Sequence, residues 1–214
     1  MERLTAVIWD FGGVVTSSPF EAFAHYEAKH GLPVNFIRSV NSVNPDTNAW
    51  AQFERAEIDA ESFNHLFGQE SAKLGHQVAG SDVLALLSGT IRPRVVGALK
   101  TLKGRYKLGC ITNNVPAGHG PGMAGTVEKA EAVHQIMTIF DYVIESAKLG
   151  IRKPDPRIYE LMCEALAVQP HECLFLDDLG INLKPARAMG MATIKVTSEA
   201  QLLHDLGTML GEAF

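Results

Sequence analysis

Two hydrophobic rhythms divide this chain. The first is short and continuous. Residues 4–9, 106–111, 142–144, 172–176 and 192–196 are apolar runs of strand length with many β-branched members. The second has helical spacing and fills 92–103, 126–138, 156–166, 181–189 and 198–210. From Arg92 onward the two alternate, which predicts βαβ units and a parallel sheet. Between Pro19 and Ser88 only the helical rhythm is present. Phe20, Phe23, Ala24 and Tyr26 begin a helix that stops near Gly31, and Pro33 opens the next, with Phe36, Ile37 and Val40. Trp50, Phe53, Ile58, Phe63, Leu66 and Phe67 continue the pattern. The expected architecture is a doubly wound, Rossmann-like α/β core from 1–16 and 91–214, with a small α-helical unit inserted over 17–90. Residues 115–125 are rich in glycine and proline and read as a mobile loop.

Composition narrows the class. The 214 residues are 46% hydrophobic and 20% charged, an ordinary globular balance with enough chain for a good core. The net charge of −5 (19 basic against 24 acidic residues), without a long basic run, argues against a nucleic-acid partner. Cys110, Cys163 and Cys173 lie far apart in sequence and form no CxxC pair, so a reduced, cytoplasmic protein is expected. Asp10 interrupts the N-terminal apolar run, and neither a signal peptide nor a membrane association is expected.

The polar residues that follow the strands carry the chemistry. Asp10 ends the first run, and Thr112-Asn113-Asn114 and Asp177-Asp178 end two others. Lys153-Pro154 stands in a loop. In an open α/β sheet such positions converge on one edge, although Asp10 and Asp178 are 168 residues apart. Three clustered carboxylates call for a hard divalent cation, and oxygen ligands favour Mg²⁺. A threonine and a lysine beside them suit phosphate oxygens, and one carboxylate can serve as nucleophile. Competing motifs fall away. Asp10-Phe11-Gly12 lacks the rest of a kinase, the glycines of 118–125 do not follow dinucleotide-binding spacing, and no P-loop or histidine metal motif is present. Cys110 and the aromatics Phe20, Phe23, Trp50 and Phe53 read as packing residues, while His119 and Met123 could meet a substrate.

Four segments then carry a resemblance. They are Val7-Ile8-Trp9-Asp10-Phe11-Gly12-Gly13-Val14, Ile111-Thr112-Asn113-Asn114, Gly150-Ile151-Arg152-Lys153-Pro154-Asp155-Pro156, and Phe175-Leu176-Asp177-Asp178-Leu179-Gly180-Ile181-Asn182. In this order the chain resembles the haloacid dehalogenase (HAD) superfamily. It is most similar to the branch containing the phosphatase domain at the N-terminus of soluble epoxide hydrolase. The resemblance implies a Mg²⁺-dependent hydrolase of small phosphomonoesters acting through an aspartyl-phosphate. It assigns Asp10 as nucleophile and, with the Gly12 carbonyl and Asp178, as a metal ligand. Thr112 and the Asn113 amide would bind the phosphoryl group. Lys153 would neutralise charge, steadied by Asp177, and Asn182 would support the metal shell. Residues 17–90 would be a cap that closes over the site and selects the substrate. A small-molecule partner and a monomer or homodimer are expected.

One position departs from the pattern. Most phosphatases of the superfamily carry a second aspartate two residues after the nucleophile, as general acid and base; here it is Gly12. Such help is worth about 10²–10⁴-fold. Two alternatives therefore stand beside the phosphatase: a catalytically weakened binding or regulatory module, and a haloacid dehalogenase.

Overall fold

The computed structural model describes residues 4–120 and 122–214; Met1 to Arg3 of the expected core and Pro121 of the expected loop lie outside them. A five-stranded, all-parallel sheet forms the centre. Its strands are β1 (Ala6–Trp9), β2 (Lys107–Thr112), β3 (Tyr142–Glu145), β4 (Cys173–Asp177) and β5 (Ala192–Lys195), in the order β3-β2-β1-β4-β5. The central strands are apolar on both sides because helices cover both faces, as parallel sheets require.

Strand alternation divides the core in two. Val7, Trp9, Leu108, Cys110, Leu174 and Leu176 face one layer, against α6 (Pro93–Leu102), α7 (Val127–Met137) and α11 (Glu199–Leu210). Ala6, Ile8, Ile111, Cys173 and Phe175 face the other, against α9 (Pro156–Leu166) and α10 (Gly180–Ala188). Gly109 stands opposite α9: a Cβ there would lie 2.6 Å from the Met162 sulfur, so any larger residue would force the Met162 side chain to shift. The sequence rhythm locates all these elements. It misses the one-turn α8 (Ser146–Leu149), too short for periodicity.

Five helices separate β1 from α6: α1 (Pro19–Lys29), α2 (Phe36–Ser42), α3 (Ala49–Glu54), α4 (Ala60–Lys73) and α5 (Gly80–Ala85). They have their own apolar cluster, dominated by Phe23, Phe36, Phe53, Phe63 and Phe67. Phe53 stacks on Phe63 with centroids 4.8 Å apart, and Trp50 meets the same ring edge-on at 5.6 Å. The two chain crossings into this unit run side by side. Thr16 bridges Ile91 in antiparallel fashion, the Ser17 N–H donates to the Thr90 carbonyl at 2.7 Å, and Arg92 Nη1 donates to the Gly13 carbonyl at 2.9 Å.

The folded chain adds contacts that the sequence pattern does not express. Within the glycine-rich segment, His119 and Ala124 exchange backbone hydrogen bonds, and Val115, Ala117 and Met123 pack on the inserted helices. Cys163 and Cys173, ten residues apart, bring their buried sulfurs within 4.0 Å because the chain reverses between α9 and β4; all three cysteines are free thiols. No helix among the described residues is long and apolar enough to cross a membrane.

Candidate active site

β1 delivers Asp10 to the carboxyl edge of the sheet. The Asp10 N–H continues the ladder to the Leu176 carbonyl at 2.8 Å, while its side chain turns out of the sheet. Asp10 Oδ1 accepts from the Phe11 N–H at 2.7 Å and from Lys153 Nζ at 2.9 Å. Lys153 Nζ also donates to Asp177 Oδ2 at 2.8 Å. Lys153 is 1% exposed and Asp177 is fully buried. A buried ammonium persists only with such partners. Burial would push Lys153 down, but Asp10 and Asp177 outweigh it and hold the ammonium well above its ordinary value.

Asp177 is saturated. Besides Lys153, it accepts from Asn182 Nδ2 at 3.1 Å on both oxygens, and Oδ1 accepts from the Leu179 N–H at 2.8 Å. Asn182, on the first turn of α10, therefore braces Asp177 directly. Asp178 is differently placed. Its Oδ2 accepts from Ser18 Oγ at 3.1 Å, linking the start of the inserted helices to the end of β4.

Asp10, Asp177 and Asp178 each offer one carboxylate oxygen, and these three atoms lie within 4.8 Å of one another. Three carboxylates against one ammonium leave two negative charges in excess. The consequence is visible in the titration of the group. Burial raises Asp10 well above its ordinary range, and although Lys153 pulls it back, Asp177 and Asp178 push it further up. Asp178 is pushed up to about 6, first by burial and then by the Asp177 charge. The donors are hard oxygens, the missing charge is two, and Asp177 is already committed to Lys153. Asp10 and Asp178, with Asp177 beside them, thus form an oxygen donor set that fits a hard divalent cation.

The two glycines of the turn differ. Gly13 has φ +79°, and a Cβ there would fall 2.2 Å from Asp178 Oδ2, so both the backbone and the approach of Asp178 demand glycine. Gly12 has ordinary φ, and a Cβ there would meet open space. A side chain at Gly12 is absent without steric cause.

β2 brings Thr112 to the same edge, 2% exposed, in register with Glu145. The Asn113 side chain clamps the lysine loop: its Nδ2 donates to the Lys153 carbonyl at 2.9 Å and its Oδ1 accepts the Lys153 N–H at 2.8 Å. Asn114 is bonded to Ser146, Ala147 and Glu145, which fixes the loop after β2.

Asp10, Lys153, Asp177, Asp178 and Asn182 are thus joined by direct contacts or short distances, with Thr112 and Asn113 at the adjoining end of β2, while Met123 packs on the inserted helices. Sequence reasoning missed Glu54, Arg152, Ser18 and the steric need at Gly13. Glu54 closes α3, and its Oε2 lies 2.9 Å from Arg152 Nη1 and 3.5 Å from Asn113 Nδ2. Arg152 was visible beside Lys153 in the third motif. Glu54 had no local signal, because only the packing of α3 on α8 brings it to the site.

This is a doubly wound parallel α/β core with its polar site at the carboxyl edge of the strands and a helical unit between β1 and α6. The chain belongs to the haloacid dehalogenase-like hydrolases, whose family model matches residues 4–190. It is 32% identical over 212 residues to acyl-CoA dehydrogenase family member 10 of Mus musculus, covering 96% of this chain but 19% of that protein. It is 28% identical over 171 residues to the sesquiterpene phosphatase astK of Aspergillus oryzae, covering 79% of this chain and 82% of the relative. A HAD family enzyme from Bacteroides thetaiotaomicron, crystallised with magnesium and inorganic phosphate, has the same fold. Its TM-score is 0.61 at 18% identity, over 92% of this chain and 96% of that one.

Proposed function

We propose that this chain is a Mg²⁺-dependent hydrolase of small phosphomonoesters that works through an aspartyl-phosphate. The observation that carries the reading is Lys153 buried between Asp10 and Asp177, with Asp178 completing an acidic set that lacks two positive charges. The magnesium and phosphate in the Bacteroides enzyme and the phosphatase activity named for the Aspergillus relative support it.

In this reading Asp10, the Gly12 carbonyl and Asp178 would hold the cation, which would neutralise charge on the phosphoryl oxygens. Asp10 is the nucleophile. Both of its contacts engage Oδ1, which leaves Oδ2 to attack phosphorus. Lys153 holds Asp10 in place and offsets charge on the phosphoryl group, and Asp177, braced by Asn182, keeps that ammonium in position. Thr112 and the Asn113 backbone amide bind phosphoryl oxygens, since the Asn113 side-chain amide is committed to Lys153. Attack on the ester gives the aspartyl-phosphate and an alcohol, and water then releases phosphate.

Residues 17–90 act as the cap over the core formed by 1–16 and 91–214. A cavity of about 230 Å³ lies between α5 and the glycine-rich turn, walled by Leu84, Leu87, Ala117 and Met123.

The test is hydrolysis of p-nitrophenyl phosphate with and without Mg²⁺. Turnover should require the metal and fall by at least about 10³-fold in Asp10→Asn, with the fold intact by circular dichroism. Full turnover by Asp10→Asn removes the covalent mechanism. Gly12 favours one other reading, a phosphate-binding module. Magnesium and phosphate binding without turnover of this activated ester would establish it.

A further inference from the structure

Gly12 leaves an unsolved step. When the bond from phosphorus to an alkyl ester oxygen breaks, that oxygen takes the electron pair and needs a proton. No side chain stands at position 12 to supply one.

Most of the buried carboxyls that could take over have other work. Asp177 is bonded to Lys153, Asn182 and Leu179. Glu145 accepts from Asn114 and Lys148, and Glu27 accepts the N–H groups of Asn35 and Ile37 at the start of α2. Asp10 and Asp178 are the nucleophile and a ligand of the reading above. Glu54 differs from all of these. It is 7% exposed, at the end of a helix that Asn48 caps and Glu70 steadies through the Ala49 N–H. Its partners in the core are the rim of the site itself: Arg152 at 2.9 Å and Asn113 at 3.5 Å, the residues that adjoin Lys153 and Thr112.

We propose that Glu54 is the general acid and base of this hydrolase, supplied by the inserted helices in place of the residue absent at Gly12. The proposal rests on the phosphatase reading. In the first half-reaction Asp10 attacks phosphorus, the ester P–O bond breaks, and the departing oxygen takes the Glu54 proton as the alcohol leaves. In the second, Glu54 carboxylate takes a proton from water, the water oxygen bonds to phosphorus, and the P–O bond to Asp10 breaks. Asp10 and protonated Glu54 are restored, and the sum is ester plus water giving alcohol plus phosphate. Arg152 balances the Glu54 charge between the halves.

The surroundings suit a proton carrier. Burial raises the Glu54 carboxyl, and Arg152, the Trp50 side chain, Lys153 and Arg55 draw it only part of the way back. On the neighbouring elements, Glu70 of α4 is bonded to Ala49, and Lys148 of α8 is paired with Glu145.

The test compares p-nitrophenyl phosphate, whose leaving group needs little protonation, with butyl phosphate, whose leaving group needs it fully. Glu54→Gln should cut kcat/KM for butyl phosphate by about 10²–10⁴-fold and that for the aryl ester by less than about tenfold. The alkaline fall in kcat for butyl phosphate should disappear in the same variant. Adding Gly12→Asp to Glu54→Gln should recover butyl phosphate turnover by at least about tenfold, since the Gly12 position has room for a side chain. Equal losses on both esters would reduce Glu54 to a structural latch on Arg152, and no loss on butyl phosphate would leave it no role; either overturns the proposal. Glu54→Asp, which keeps a carboxyl on a shorter arm, should turn over butyl phosphate at least about tenfold faster than Glu54→Gln, and circular dichroism of both variants separates lost chemistry from a lost fold. Failure of the unaltered protein on both esters would instead overturn the phosphatase reading.

Discussion

The sheet edge and the inserted helices bury their side chains by opposite means. At the edge, three charged groups, Asp10, Lys153 and Asp177, sit out of water, and each is held by specific partners: Lys153 by two carboxylates, Asp177 by Lys153, Asn182 and a backbone N–H. In the helices the interior is a cluster of aromatic rings held by area and shape. A fully buried phenylalanine contributes about 1.5–3 kcal/mol through area alone, whereas a buried charge only breaks even when its partners are all present. The first region is therefore specific and intolerant of change, and the second is stable but chemically mute. Its exception is Glu54, the one side chain of α3 paired with charge in the core.

Removing the central cation gives the severest test of that contrast. Lys153→Met should abolish turnover and cost about 3–5 kcal/mol in urea unfolding, because Asp10 and Asp177 lose their shared partner. A stable Lys153→Met protein would mean that the edge does not depend on charge balance.

Phe63→Ala probes the other side. Phe63 is fully buried and meets Trp50, Phe53 and Phe67, so its loss should cost about 3–5 kcal/mol. Under conditions where the variant stays folded, magnesium binding should be unaltered by calorimetry. Weakened metal binding would show that the helices and the edge are energetically joined.

Gly13→Ala should have a smaller effect on stability, about 1–2 kcal/mol from its left-handed backbone, but a clear one on the metal. The new Cβ must displace Asp178, and magnesium affinity should drop in the same titration. Gly12→Ala, whose Cβ meets open space, is the matching control for stability.

The mildest change lies far from both regions. Burial works against the Asp141 charge, but the Lys103 ammonium at 2.6 Å and the Leu108 N–H at 2.8 Å outweigh it. They hold the carboxyl below its ordinary value. A depressed carboxyl stabilises the fold above the unfolded-state value, and that contribution disappears as pH falls through the folded-state value. Asp141→Asn should therefore cost about 0.5–1 kcal/mol at pH 7 and little in acid, read from thermal unfolding across pH.

The chain's local pattern went far. The five strands could be read because parallel strands covered on both faces must be apolar throughout, and the helices because one face of each must be apolar. Asp10, Thr112, Lys153 and Asp177-Asp178 were legible because each adjoins a strand end or loop, and parallel topology sends such positions to one edge. Their division of labour was not legible. Asp177 and Asp178 are neighbours of the same type, and only the folded chain commits one to Lys153 and turns the other towards Ser18.

What sequence by itself determined was the alternation of elements, the family they belong to and the residues at the strand ends, all of which depend on periodicity and adjacency. Tertiary structure decided what adjacency cannot express. It packed Val115, Ala117 and Met123 on the inserted helices, brought Cys163 beside Cys173, and drew Glu54 across to Arg152 from 98 positions away. Contacts of that kind come from how helices dock, and docking is set by whole surfaces that no short stretch of chain records.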